Sequence, residues 1–196
     1  MSLPRAPDDR HDGPVSAAPF DVRALVARAQ DGDPDAWEDL YRLTYPRLLA
    51  YARRRLWARD EADDAVSETF ARAFRRMGAF EWSGGGISAW LFGILRNVVL
   101  EANRRSRRPD PAAPDVRAED DVLDGLVLDE EARAVRAAFV TLSPEDQEVL
   151  ELRVVGELSA DEVASVLGKQ PGAVRMAQSR ALARLRAALD QDGDHG

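Results

Sequence analysis

Apolar residues recur at a helical period along most of the chain. Val22, Leu25, Val26 and Ala29 follow the i, i+3, i+4, i+7 spacing that lines one face of a helix. Asp31-Gly32-Asp33-Pro34 predicts a stop and a restart, with Asp33 at the N-cap and Pro34 at the first helical position, where no N–H is needed. A second stripe runs through Trp37, Leu40, Tyr41, Thr44, Leu48, Tyr51 and Ala52. A third helix is expected after Asp60, with Ala62, Val66, Phe70, Ala73, Phe74 and Met77 facing inward. The acids at its start, Asp60, Glu61, Asp63 and Asp64, suit the positive end of a helix. Residues 78–88, with Phe80, Trp82 and three consecutive glycines, read as a loop. A fourth helix is expected from near Ser88, carrying Trp90, Leu91, Ile94, Leu95, Val98 and Ala102, and it ends before Pro109.

Pro109, Pro111 and Pro114 then punctuate an acidic stretch, and a second helical block follows. Ser143-Pro144-Glu145-Asp146 and Ser159-Ala160-Asp161-Glu162 each carry the signature of a capped helix start. The last helix is expected from Pro171 to about Leu189. No segment alternates with period two. The expected fold class is therefore all-α: two small helical domains, 21–108 and 129–190, joined by an acidic flexible linker, 109–128. Residues 1–20 read as a disordered tail and 191–196 as a second tail.

Net charge changes the picture once it is divided among these segments. The whole chain carries −8, which alone argues against a nucleic-acid partner. Residues 21–108 nevertheless carry 16 basic and 13 acidic groups, and residues 132–190 carry 8 of each. Residues 109–131 carry 9 acids and one Arg, so the acidity is concentrated in the middle of the chain. Composition narrows the chemistry further. There is no Cys, and the two His, His11 and His195, lie in the tails. A catalytic site, a metal site and a cofactor site are therefore not expected. No apolar run approaches the roughly 20 residues that span a bilayer, and the N-terminus lacks the apolar core of a signal peptide. A cytoplasmic protein without membrane insertion is the expectation.

Two stretches carry candidate chemistry. The segment 162–168 is a short helix closed by Gly168. A turn through Lys169 and Gln170 leads to a second helix at Pro171, which is the layout of a helix-turn-helix. Val163, Ala164, Leu167, Val174 and Leu182 are its expected packing positions. Arg175, Met176, Ser179 and Arg180 would then share the outer face, where Arg can read guanine edges in a major groove. Five basic residues and no acid lie between Val163 and Leu189. The second stretch is the fourth helix, with Arg96, Asn97, Arg104, Arg105, Arg107 and Arg108 and a single acid, Glu101. Phe80 and Trp82 in the preceding loop are of the kind on which an unstacked base can stack. Trp90, at a core spacing, reads as a packing residue.

Three motifs now carry a resemblance to the extracytoplasmic-function (ECF) group of the bacterial sigma-70 family. Residues 63–75 (DDAVSETFARAFR) resemble region 2.2, residues 89–100 (AWLFGILRNVVL) resemble regions 2.3–2.4, and residues 142–185 resemble region 4. Ser67 stands where the family commonly has Gln. The resemblance implies a sigma factor that binds core RNA polymerase and directs promoter-specific initiation at −10 and −35 elements. Asp63, Asp64, Ser67 and Glu68 would face the β′ clamp helices, and region 4 the β flap. One of Phe80 and Trp82, with Asn97, would hold a flipped −10 base, while Arg96, Arg104 and Arg105 track the backbone. Arg175, Met176, Ser179 and Arg180 would face −35 bases, with Lys169 and Arg184 toward phosphates. The family also admits an anti-sigma factor as a partner. The alternative is a helix-turn-helix transcriptional regulator that is not a polymerase subunit.

Overall fold

The computed structural model describes residues 21–105 and 130–193. The tails and the acidic segment 109–128, with Arg107 and Arg108, lie outside the described residues. No strand occurs among the described residues. The N-terminal half is α1 (Val22–Gln30), α2 (Pro34–Arg55), α3 (Arg59–Arg76), a 3-10 turn (Met77–Ala79) and α4 (Gly86–Arg105). The C-terminal half is α5 (Glu130–Val140), α6 (Pro144–Leu150), a π-helical turn (Glu151–Val155), α7 (Ala160–Leu167) and α8 (Pro171–Gly193).

Short polar side chains set the helix starts. Asp21 Oδ1 accepts from the N–H groups of Arg23 and Ala24 at 2.9 and 3.2 Å, and Asp33 caps α2 in the same way. Arg28 donates to Asp33 at 2.8 Å and holds that carboxyl below its usual pKa. Ser143 caps α6, and Ser159 with Glu162 forms a reciprocal capping box on α7. Gln147 donates to the carbonyls of Phe139, Val140 and Leu142, which satisfies acceptors left open where α5 ends.

The two halves share one continuous core. Leu40, Leu48, Ala62, Val66, Leu91 and Leu95 from the first half join Val149, Leu152, Leu158 and Val163 from the second. The π turn supplies Leu152 to this core and Glu151 to its edge. A π turn wedges an extra residue into a helix, and such turns concentrate where a side chain must be re-aimed. Here Glu151 meets Arg55 across the junction, Nε to Oε2 at 2.6 Å, with side chains only 10% and 7% exposed. Arg96 Nε donates to Glu148 at 2.8 Å, and Arg47 donates to the Gly156 carbonyl at 3.3 Å. The Phe92 ring lies so close to Gly156 that a Cβ there would meet it at 3.1 Å and the Leu152 carbonyl oxygen at 2.7 Å.

Three expectations about packing are corrected. Tyr41 and Phe74 face outward, Phe74 with 64% exposure. The buried stripe of α3 is Ala62, Ala65, Val66, Thr69 and Ala73. Leu182 is also exposed, and α8 packs instead through Val174, Ala177 and Ala181. On this side Ala181 meets Leu142 and Leu150, with Phe139 packed beside them, while Val174 and Ala177 join the shared core.

Candidate nucleic-acid and polymerase interfaces

The loop before α4 places its two aromatics differently. Gln30 reaches from α1 and donates to the carbonyls of Met77 and Phe80, at 3.2 and 2.9 Å, which pins the loop to the bundle. Phe80 is thereby drawn into the core at 6% exposure, packed on Trp90 with ring centroids 5.1 Å apart. Trp82 stands outside it, edge-on to Phe80 and 36% exposed, with the Arg23 guanidinium 4.4 Å from its ring centroid. Trp90 is half-buried against the core, as its spacing predicts.

Along α4, Asn97, Arg104 and Arg105 are exposed. Arg104 folds back to the Leu100 carbonyl at 3.1 Å, and Arg105 leans toward Glu101 at 3.4 Å. Glu101 would repel a phosphate backbone here. Arg72 of α3 compensates it with two hydrogen bonds, at 3.2 and 2.9 Å, and holds the carboxyl below its ordinary pKa. Arg96 is different from its neighbours on α4, because its guanidinium is turned into Glu148 of the other half.

The helix-turn-helix is built by α7, a turn, and α8. Gly168 ends α7 with φ +65°, a left-handed conformation that glycine adopts without a Cβ clash, and the Lys169 N–H closes back on the Ala164 carbonyl at 2.9 Å. With Val174, Ala177 and Ala181 buried, Arg175, Met176, Ser179 and Arg180 are all exposed on the opposite side. Asp161 stands 3.6 Å from Arg175. Lys169 pairs with Glu145, and Arg184 with the buried Asp146, so both are held on α6. Arg153 donates to Gln178 at 2.9 Å and braces α8 from the π turn.

On α3, Asp64 and Ser67 are exposed, and Asp63 and Glu68 are half-buried. Asp63 lies 3.9 Å from Arg53. Glu68 accepts from Arg72 at 2.8 Å, with Arg75 at 3.6 Å, and Arg72 keeps its carboxyl below the usual range. Beside these acids lies an apolar feature the sequence reading missed. Trp37, Tyr41, Phe70 and Phe74 line a shallow groove between α2 and α3, with Gly32 and Pro34 at one end. The rings touch pairwise, Trp37 on Phe74 at 5.1 Å and Tyr41 on Phe70 at 4.6 Å. Phe70 and Phe74 form a second i, i+4 stripe one residue out of phase with the buried stripe, and that offset is the signal available in the sequence.

Comparison with known proteins places this geometry in a family. The models for Sigma-70 region 2 and Sigma-70 region 4 match residues 40–109 and 132–185. The ECF RNA polymerase sigma factor BldN of Streptomyces coelicolor is 36% identical over 177 residues, covering 86% of this chain and 66% of that protein. The ECF RNA polymerase sigma factor ShbA of Streptomyces griseus is 33% identical, covering 87% of this chain and 96% of that protein. Among solved structures, CnrH in complex with the cytosolic domain of CnrY matches with a TM-score of 0.64 at 28% identity, over 87% of this chain and 97% of that one. RpoE in complex with the anti-sigma factor NepR from Bartonella quintana matches at 0.55 and 26%, over 78% and 96%. The chain belongs to the sigma-70 family of transcription initiation factors. Within it, the chain falls in the ECF group of RNA polymerase sigma factors. No described helix is long and apolar enough to cross a membrane.

Proposed function

We propose that this chain binds core RNA polymerase and directs initiation from promoters with −10 and −35 elements, using three separate faces. The observation that carries the reading is the α8 surface. Arg175, Met176, Ser179 and Arg180 stand together on a helix whose other side is packed into a helix-turn-helix. Such a helix fits a major groove, and phosphate contacts on its flanks fix the register without reading sequence. Lys169 and Arg184 are placed for those flanks once released from Glu145 and Asp146.

The −10 face is the start and outer side of α4. Trp82 offers an exposed ring, with the Arg23 guanidinium 4.4 Å from its centroid, and an exposed ring beside a cation suits an unstacked base. Asn97 supplies hydrogen bonds to a base edge, and Arg96, Arg104 and Arg105 supply backbone contacts. Phe80 supports Trp82 from beneath and does not touch the strand.

The polymerase face joins the acids Asp63, Asp64 and Glu68, with Ser67, to the groove of Trp37, Tyr41, Phe70 and Phe74. An exposed aromatic patch rimmed by charge is the signature of a protein interface. The β′ clamp helices are its proposed occupant, and the β flap is the proposed partner of region 4. An anti-sigma factor is a further proposed partner, as RpoE is solved with the anti-sigma factor NepR. The role is non-catalytic and cytoplasmic. Run-off transcription with purified core polymerase tests the reading, and absence of any promoter-dependent transcript from genomic templates would sink it. Asn97→Ala should impair strand opening more than closed-complex binding, and an unchanged permanganate footprint would contradict that role.

A further inference from the structure

The aromatic platform before α4 is built in part by α1. Gln30, at the end of α1, holds the loop through the carbonyls of Met77 and Phe80. Arg23 lies seven residues earlier on the same helix face. That spacing is two turns, or about 10 Å along the axis. The Arg23 guanidinium covers the Trp82 ring, 4.4 Å from its centroid. The ring itself is fixed from other directions. Phe80 meets it at 5.5 Å, with the ring planes at 73°. Gly86, in the left-handed region at φ +57°, lets the chain pass so close that a Cβ there would stand 3.2 Å from the indole. The loop therefore holds the indole, and the arginine is the movable part. It is exposed, and its long stem can swing while α1 stays in place.

Charge gives this arginine a second partner. Asp21, which caps α1, and Glu81, beside Trp82, are both exposed. Those carboxylates alone would repel a phosphate arriving at Trp82, and Arg23 offsets them. A guanidinium over an exposed ring is held by a weak attraction. Its parallel N–H donors bind a phosphate through stronger, charge-assisted hydrogen bonds. A base in turn offers Trp82 a flat π-face. An exchange of partners therefore favours the bound strand twice, with the base on the ring and the guanidinium on the phosphate. Arg23 also lies before residues 40–109, the stretch that matches Sigma-70 region 2, so that match assigns it no role.

We propose that Arg23 of α1 is a strand-binding residue of the −10 face: it covers Trp82 in the free protein and passes to the phosphate of the nucleotide whose base replaces it on the ring. The inference rests on the reading of Trp82 as the platform for an unstacked base. It enlarges that site from one loop and one helix to a loop bracketed by two helices.

The experiment uses the full chain without polymerase. Its probe is a fluorescein-labelled mixed-sequence 20-nucleotide single strand of DNA, titrated by anisotropy over a salt series. Arg23→Gln should weaken binding about tenfold, the loss of one hydrogen bond to a charged group. It should also make the slope of log affinity against log salt shallower by about 0.7, the share of one phosphate. Arg23→Lys keeps the charge and should keep the slope. Trp82→Ala should weaken binding by about tenfold as well. In that background Arg23→Gln should cost less than about threefold, because the nucleotide that carries the phosphate is no longer held. Wild-type affinity and slope for Arg23→Gln would overturn the inference, a comparison that holds even if Trp82→Ala fails to fold. The platform would then stand if Trp82→Ala still weakens binding. The full tenfold loss in both backgrounds would also overturn the inference, since Arg23 would then act on the strand at large. A slope for Arg23→Lys as shallow as that of Arg23→Gln would overturn the phosphate contact. Wild-type binding by Trp82→Ala, or absence of binding by every chain, would overturn the platform reading and the inference with it.

Discussion

Glu151→Gln should be among the most destabilising single substitutions of a charged residue in this protein. The side chain is 7% exposed and its partner Arg55 is 10% exposed. Burial pushes the Glu151 carboxyl up and Arg55 works against it. On Arg55, burial pulls downward, and Tyr51, Glu151 and Glu148 more than offset it. The two tendencies oppose each other, and the 2.6 Å hydrogen bond to a guanidinium that stays protonated decides for the charged pair. Neutralising Glu151 leaves Arg55 buried with a diminished partner, and its Nη2 already has no hydrogen-bond acceptor. Breaking a buried pair from one side costs about 3–5 kcal/mol. Glu148 and the Tyr51 ring, 5.6 Å from the guanidinium, compensate in part, which favours the lower end, about 3 kcal/mol. With a urea m-value of about 2 kcal/mol/M for a chain of this size, the midpoint should fall by roughly 1.5 M. Far-UV circular dichroism in urea at pH 7 measures it. The double change Arg55→Met with Glu151→Leu removes both charges and the orphaned nitrogen together, and should lie within about 1 kcal/mol of the wild-type chain. A midpoint shift under about 0.3 M for Glu151→Gln, or a double variant as weak as the single, would refute the reasoning.

Phe74→Ala removes an exposed ring, so it should leave the fold intact and weaken core polymerase binding by about 2 kcal/mol, the size of an interface hot spot; unchanged affinity in a core-binding titration would remove the aromatic groove from the interface. Arg175→Ala should lose about 1–3 kcal/mol on promoters that carry a −35 element if it reads a base; the same loss on a scrambled element would make it a phosphate contact. Arg72→Gln should change how stability depends on pH. Arg72 depresses both Glu68 and Glu101, so the stability they contribute is present above the ordinary glutamate value, about 4.3, and disappears as pH falls through their lowered values. The gap in melting temperature between the wild-type chain and Arg72→Gln should accordingly close between pH 5 and pH 3, and a gap that stays constant would contradict the assignment.

Helix positions and caps were legible because they are local. Asp33-Pro34, Ser143 and Ser159 each act within four residues of themselves, and the structure uses all of them as the sequence suggests. Which stripe of a helix is buried was less legible. In α3, two apolar stripes lie one residue apart, and periodicity alone does not say that Ala73 turns inward while Phe74 turns out. In α8, hydrophobicity favours Leu182, but the side that meets Leu142 and Leu150 carries Ala181. Phe80 and Trp82 stand two residues apart in a glycine-rich loop, and only the long-range bonds from Gln30 decide which one is sequestered. The docking of the halves left no local trace at all. Arg55 and Glu151 are 96 residues apart, Arg96 and Glu148 are 52 apart, and surface arginines and glutamates are common enough that no spacing marks these four.

The core shared by the two halves has a spectroscopic consequence, because the chromophores are not shared. Trp37, Trp57, Trp82 and Trp90 and all three tyrosines lie between residues 37 and 90, whereas the C-terminal half has Phe139 as its one aromatic. Intrinsic fluorescence therefore watches the N-terminal half alone, while circular dichroism sums the helices of both. If one core holds the chain together, heating should give two superimposable curves, although one probe is blind to region 4. A dichroic loss that precedes any change in tryptophan emission would be region 4 melting by itself. The uneven placement of aromatic residues thus gives the unlabelled, wild-type chain its own two-colour readout of whether its halves act as one cooperative unit.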